Sequence, residues 1–161
     1  MNNSTTAVAW ALRPALPGDL ETIADLRAEA MRPDLERLGR YDDHRVRQRL
    51  RDVWAPEHTS VIEVDGAFAG SVTLRPTEQG GLLENFYLSP ALHGRGIGGA
   101  VLRTLLTRAD EAGAEVRLIV VQGSAARALY ERHGFVEESQ DPIDVYMVRR
   151  PVRNASAAVT D

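Results

Sequence analysis

Apolar positions recur along this chain with two periods, and the switches between them mark out the elements. Val8 to Arg13 alternates as a short strand. Pro14 to Asp19 is a turn, and Asp19 is placed to cap a helix running to about Met31. Pro33 interrupts the helical pattern. The pattern resumes from about Asp34 to Trp54, with a weak point at Gly39 and an apolar side of Leu35, Leu38, Val46, Leu50, Val53 and Trp54. Thr59 to Val64 and Ala67 to Arg75 are two strands joined at Asp65-Gly66, a strong hairpin signal. Gly80-Gly81 marks the next turn, and Leu82 to Leu88 is a strand that stops at Ser89-Pro90.

The glycine-rich run His93 to Gly99 then opens a long helix to about Ala112. Val101, Leu102, Leu105 and Leu106 stand at helical spacing, and Gly113 ends it. Val116 to Val121 is a dense apolar strand of the kind buried on both faces. Ser124 is placed to cap a short helix through His133, and Gly134 closes that helix. Phe135 to Ser139 and Val145 to Arg149 complete the strands, joined at Asp141-Pro142. Beyond Pro151 the apolar pattern is lost, so Ala155 to Asp161 reads as a loose tail. The order is strand, two helices, three strands, helix, strand, helix, two strands. It predicts a mixed α/β fold: one sheet with helices on its faces.

Composition narrows the function classes. A chain of 161 residues, 43% hydrophobic and 26% charged, suits one globular domain rather than two or a disordered chain. A net charge of −4 gives no basic excess for nucleic acid. There is no cysteine, which excludes disulfides, thiolate metal sites and a cysteine nucleophile. His44, His58, His93 and His133 are scattered without metal-ligand spacing, so no metal is expected. The polar start Met1 to Thr6 is unlike a signal peptide, and no apolar run approaches the ~20 residues of a membrane helix. The cytoplasm is therefore expected, and the sequon at Asn154 carries no weight there.

The glycine run admits two readings. Gly94-Arg95-Gly96-Ile97-Gly98-Gly99 satisfies the dinucleotide pattern, in which backbone N–H groups at a helix start meet a pyrophosphate. That reading needs an acid after the next strand, which here ends Val120-Val121-Gln122-Gly123. The second reading is an acyl-CoA loop. Leu83 to Pro90, Gly94 to Gly98 and Ala128 to Phe135 lie in the order and spacing of the central strand, pyrophosphate loop and late helix of the GCN5-related N-acetyltransferase (GNAT) superfamily. The chain resembles that superfamily over about residues 7 to 150. Two positions depart from its pattern: His93 stands where Gln or Arg is usual, and Gly123 where many members have Asn.

The resemblance implies a mostly antiparallel twisted sheet with a splayed acyl-CoA cleft. It implies one acyltransferase domain over residues 1–150, followed by a tail. It also implies acetyl-CoA as donor and a small-molecule primary amine as acceptor, and it allows a homodimer. Transfer requires an amine freed of its proton and a leaving thiolate that is protonated. Glu84 is the candidate base and Tyr130 the candidate acid. Leu83-Glu84-Asn85-Phe86-Tyr87-Leu88 is also locally similar to Leu-Glu-Asp-Phe-Phe-Val of the diamine (spermidine/spermine) acetyltransferases. There the second acid binds amine, so neutral Asn85 is a candidate for shaping acceptor choice. A bulge is expected at this strand, to splay it for pantetheine. Phe86 and Leu88 are expected to offer backbone groups to pantetheine. His93, Gly94, Arg95, Gly96, Ile97, Gly98, Gly99 and Ser124 are the remaining candidate cofactor contacts. Arg32 and Tyr41, in the helical region that covers the acceptor site in this superfamily, are candidate substrate contacts. The alternatives are a protein N-terminal or lysine acetyltransferase and, from another class, a non-catalytic acyl-CoA-binding regulatory module.

Overall fold

A computed structural model describes residues 9–153. Val8, the tail from Ala155 and the sequon at Asn154 lie outside the described residues. Seven strands form one sheet in the order β1-β2-β3-β4-β5-β7-β6. They are β1 (Trp10–Pro14), β2 (Thr59–Val64), β3 (Ala67–Thr77), β4 (Gly80–Leu88), β5 (Val116–Val121), β6 (Val136–Gln140) and β7 (Asp144–Arg149). Every pairing is antiparallel except β4 with β5. Helices α1 (Leu20–Arg37), α2 (Asp43–Asp52), α3 (Ile97–Glu111) and α4 (Ala126–Arg132) flank the sheet. The fold is the mixed α/β arrangement that the order of elements predicts.

The core lies on both faces. Val101, Leu102, Leu105 and Leu106 of α3 pack with Leu83, Val116, Leu118 and Met147 beneath the sheet. Ile23, Ala24 and Leu50 pack with Val61 on the other face, under α1 and α2. The apolar spacing of α3 therefore buries the stripe that the sequence shows.

Three boundaries differ from the sequence pattern. Pro33 does not break α1, which runs through it to Arg37. Pro33 and Glu29 are both exposed, so the carbonyl that loses its partner faces water. The break falls instead after Leu38, where Gly39 takes φ +69°. Asp42 then caps α2, its side chain accepting from Arg45 N. Asp19 stands at the N-cap of α1 but makes no side-chain cap to that helix; its carboxylate holds Arg13 and caps the preceding 3-10 turn by accepting from Leu16 N at 2.7 Å. Gly80 and Gly81 begin β4, and the turn is Glu78-Gln79. Gly80 has φ +135°, and a Cβ there would collide with the carbonyl of Glu115, which bonds Gly81 N at 2.8 Å.

Candidate active site

The β4–β5 ladder holds only from Gly81↔Val116 to Leu83↔Leu118. Both strands continue beyond it, to Leu88 and Val121, without pairing. The result is a V-shaped cleft between adjacent parallel strands. The cause is visible in β4. Between Thr73↔Glu84 and Ser71↔Tyr87 the strand carries one extra residue, and Asn85 takes φ +48°. Ser71 Oγ donates to Asn85 O at 2.9 Å and pins the bulge.

The bulge resets the strand's alternation. Leu83 faces the α3 core, which leaves Glu84 on the α1 side. Without a bulge Asn85 would turn away. Instead Asn85 and Tyr87 both reach Arg27 of α1, while Phe86 and Leu88 pack against the α3 core. Along the edge, Ser89 N bonds Ala69 O of β3 at 2.7 Å. Alternation then turns the backbone groups of Leu88 and Phe86 toward the open side of the cleft. His93 Nε2 donates to Leu88 O at 2.8 Å and ties the loop to the strand end.

The loop sits at the mouth of the cleft. Gly94 and Gly96 both take φ +78°, and a Cβ on either would meet nothing within 4 Å, so open space lies over the backbone. Among the described residues, the N–H groups of Gly94 through Gly99 make no backbone hydrogen bond; the first such bond runs from Ala100 N to Gly96 O. These donors, at the start of a 15-residue helix, form a ready site for a polyanion. Ile97 is buried and anchors the turn. Arg95 is exposed, and the Arg103 guanidinium lies near Gly99. The loop therefore fits a coenzyme A pyrophosphate.

Tyr130 of α4 is 8% exposed and packs edge-on against Phe135, with ring centroids 5.8 Å apart. Its hydroxyl has no hydrogen-bond partner among the described residues. No fully enclosed side-chain polar atom lacks a partner there, so this hydroxyl opens on accessible space. Burial, and secondarily the neighbouring Tyr87, push the phenol well above its ordinary value. Tyr87 is partly exposed as a residue, while its hydroxyl is surrounded by protein atoms. It accepts from Arg27 Nη1 at 2.7 Å and lies 3.6 Å from Met31 Sδ. Burial raises the Tyr87 phenol against the opposing pull of Arg27.

Both Glu84 carboxylate oxygens accept from Arg75 of β3, at 3.0 and 3.2 Å. The pair is only partly covered, with side-chain exposures of 20% for Glu84 and 38% for Arg75. Ser124 Oγ accepts from Ala126 N at 3.2 Å, at the start of α4. Gly123 beside it takes φ +76°, and a Cβ there would come within 2.7 Å of the Arg37 guanidinium. Arg37 in turn donates to Gln122 O at 2.9 Å. The left-handed φ is what favours glycine at 123, since the Arg37 guanidinium is the far end of a flexible side chain and can move aside.

Arg32 and Tyr41 are not brought to β4. At about 100° per residue, Arg32 lies well around α1 from Arg27. Arg32 pairs with Glu36 and sits over the Tyr41 ring at 5.0 Å, and Tyr41 donates to Asp43 at 2.7 Å. With Asp25, Glu29 and Arg47 they line a hollow of about 280 Å³ between α1 and α2. A second hollow of about 440 Å³, under Pro14, His58, Leu74 and Arg108, shares no residue with the loop, β4 or α4. Among the described residues, no group of His, Asp or Glu is suited to hold a metal, and no helix is long and apolar enough to cross a membrane.

The residues that sequence reasoning passed over are Arg27, Arg75 and Tyr87. Arg27 left one signal: it falls on the stripe Ile23, Arg27, Met31, where helical spacing calls for an apolar residue.

The family profile described as the acetyltransferase (GNAT) family matches residues 21–135. No curated protein sequence gives a significant match. Among solved structures, a PaiA N-acetyltransferase from Thermoplasma acidophilum in complex with coenzyme A superposes with a TM-score of 0.71 at 21% identity, covering 88% of this chain and 99% of that one. A ribosomal-protein alanine N-acetyltransferase from Escherichia coli gives 0.68 at 17%, covering 91% and 97%. Ard1 from Thermoplasma volcanium gives 0.66 at 22%, covering 91% and 100%. With the profile spanning most of the sequence, from α1 to the turn after α4, the chain belongs to the acetyltransferase (GNAT) family.

Proposed function

We propose that this protein transfers acetyl from acetyl-CoA directly to a primary amine of a small molecule. The observation that carries this reading is the hydroxyl of the buried residue Tyr130, without a protein partner and open to accessible space, beside a cleft whose β4 edge is free. In the proposed arrangement the loop from Gly94 to Gly99 holds the pyrophosphate, helped by Arg95 and, through Leu88, by His93. The backbone of Phe86 and Leu88 takes pantetheine as an added strand, because pantetheine carries peptide-like amides. Ser124 stands at the other wall of the cleft.

The acceptor nitrogen attacks the thioester carbonyl, the C–S bond breaks, and the leaving sulfur takes the Tyr130 proton. A phenol raised by burial stays protonated at neutral pH and is available for that donation. Glu84, fixed in place by Arg75, receives the ammonium proton through water, and the second proton, which the nitrogen loses as the amide forms, returns through water to the Tyr130 oxygen. No covalent intermediate is needed.

The test is binding followed by turnover. Acetyl-CoA should raise the melting temperature because it binds the folded state, whereas NAD should not. Free thiol should then appear when a panel of primary amines is added. A shift with NAD and none with acetyl-CoA would overturn the reading. A shift with acetyl-CoA but no thiol release from any amine would favour a binding module instead.

A further inference from the structure

Arg27 is a half-buried cation without a counter-charge. Its Nε donates to Val46 O at 2.8 Å, and its Nη1 to Asn85 Oδ1 and Tyr87 Oη. Its Nη2 has no partner, and no carboxylate forms an ion pair with it among the described residues. Of the other arginines on the same two helices, Arg32, Arg37, Arg47 and Arg51 each hold a carboxylate, and Arg45 and Arg49, which hold none among the described residues, are exposed to water whereas Arg27 is half-buried. Withdrawing a guanidinium from water without a negative partner is unfavourable, so such a group suits a site that an anion enters.

Asn85 points to the same chemistry. Arginine only donates, so the amide oxygen of Asn85 must face Arg27 and its Nδ2 must face away. Since no enclosed side-chain polar atom lacks a partner, both Arg27 Nη2 and Asn85 Nδ2 open on accessible space. Two donor groups and one net positive charge therefore stand at the β4 bulge, where they are open to a ligand. The nearby Glu84–Arg75 pair is neutral as a unit. Tyr87 connects the cluster to the reaction centre, because it touches Arg27 and lies close enough to Tyr130 to influence it.

We infer that Arg27 and Asn85 recognise an oxyanion on the acceptor, so that the amine acetylated is one that also bears a carboxylate or phosphonate. This rests on the acetyl transfer proposed above and specifies its acceptor. A di- or polyamine is disfavoured, since its second ammonium would meet the guanidinium. The same guanidinium favours the neutral form of the reacting amine.

The experiment measures kcat/KM by thiol release for matched acceptors. Each set holds an amino acid, the aminophosphonate of the same skeleton and the amine lacking the acid group, and cationic diamines complete the panel. The oxyanion-bearing member of the best set should exceed its stripped amine by about tenfold to a hundredfold, as expected for one charge-assisted recognition. Comparing its carboxylate and phosphonate members then identifies which oxyanion is read. Arg27→Met should bring that ratio near one, mainly through KM, and Arg27→Lys should restore part of it. Asn85→Asp would place a carboxylate on Arg27 while tolerating the left-handed backbone. It should lower the ratio and improve the use of diamines, and it keeps the test decisive if Arg27→Met does not melt cooperatively. Equal or better use of stripped amines or diamines by the unaltered protein would overturn the inference and leave acetyl transfer standing. Absence of thiol release with every amine would overturn acetyl transfer itself, and the inference with it.

Discussion

The two ends of the cleft are made of different atoms. At the loop end the anion-facing groups are backbone N–H donors, set by two left-handed glycines and the start of α3. At the β4 bulge, the proposed acceptor end, the polar groups are side chains of both signs: Arg27 from α1, Arg75 from β3, and Glu84, Asn85 and Tyr87 from β4. A backbone site depends on chain conformation and is indifferent to most side chains around it. A side-chain site changes its charge with each substitution. The departures from the family pattern at His93 and Gly123 leave the first kind of site standing. The same number of changes at the other end would alter what the cleft recognises.

This contrast can be broken in a graded way. The largest effect is expected from Gly96→Val. A β-branched residue is strained at φ +78°, so the loop must move, and the stabilisation by acetyl-CoA should vanish in a thermal shift assay. A retained shift would mean that the donors are not organised by this turn.

Next comes Glu84→Gln, which keeps size but removes the basic site. Turnover near neutral pH should fall by about tenfold to a thousandfold, with partial recovery at high pH as free amine accumulates. Arg75→Met provides the control, because it frees the carboxylate without removing it. If both variants keep the wild-type pH–rate profile and differ only in melting temperature, the pair is structural.

A third expectation concerns pH alone. Burial raises the Tyr130 phenol, so it remains a donor at every pH below the ordinary phenol value of about 10. The amine, by contrast, becomes more reactive as pH rises. The kcat/KM profile should therefore climb without a falling limb below about pH 10. A fall that begins near pH 8 would assign the acid to another group.

The smallest effect is expected from His93→Ala. It removes one tie to Leu88 O and leaves the loop donors in place, so acetyl-CoA affinity should change by less than about fivefold in a calorimetric titration. A larger loss would show that a side chain carries the loop end after all.

The same division explains what the sequence discloses. The loop end is local: strand end, glycines and helix start lie within Leu82 to Leu106, and their pattern is readable in one window. The sheet's alternation and the stripe of α3 are readable for the same reason. The proposed acceptor end is assembled from positions 27, 75 and 84–87, and no local period records that Arg27 meets Asn85. Its only trace is an arginine on an apolar stripe. The helical region after Pro33 shows the same limit. Pro33 is a strong local signal, yet α1 continues because Glu29 and Pro33 lie on its exposed side, while the weaker signal at Gly39 marks the real end. Arg32 shares α1 with Arg27, but helical rotation carries it to the outside, and Tyr41, in the link between α1 and α2, packs beneath Arg32 rather than at β4. Gly80 reads as a turn residue, and its true role, admitting the Glu115 carbonyl, depends on the residue that leads into β5, more than thirty positions away.

The measurement that tests the central claim most directly is single-turnover thiol release by Tyr130→Phe at saturating acetyl-CoA, with acetyl-CoA affinity measured on the same protein. The substitution keeps the ring that packs on Phe135 and removes only the hydroxyl. The account predicts a rate lower by about tenfold to a thousandfold with affinity nearly unchanged, since the hydroxyl would act only as the sulfur leaves. An unchanged rate, with chemistry shown to limit turnover, would contradict it and leave Tyr130 as a packing residue.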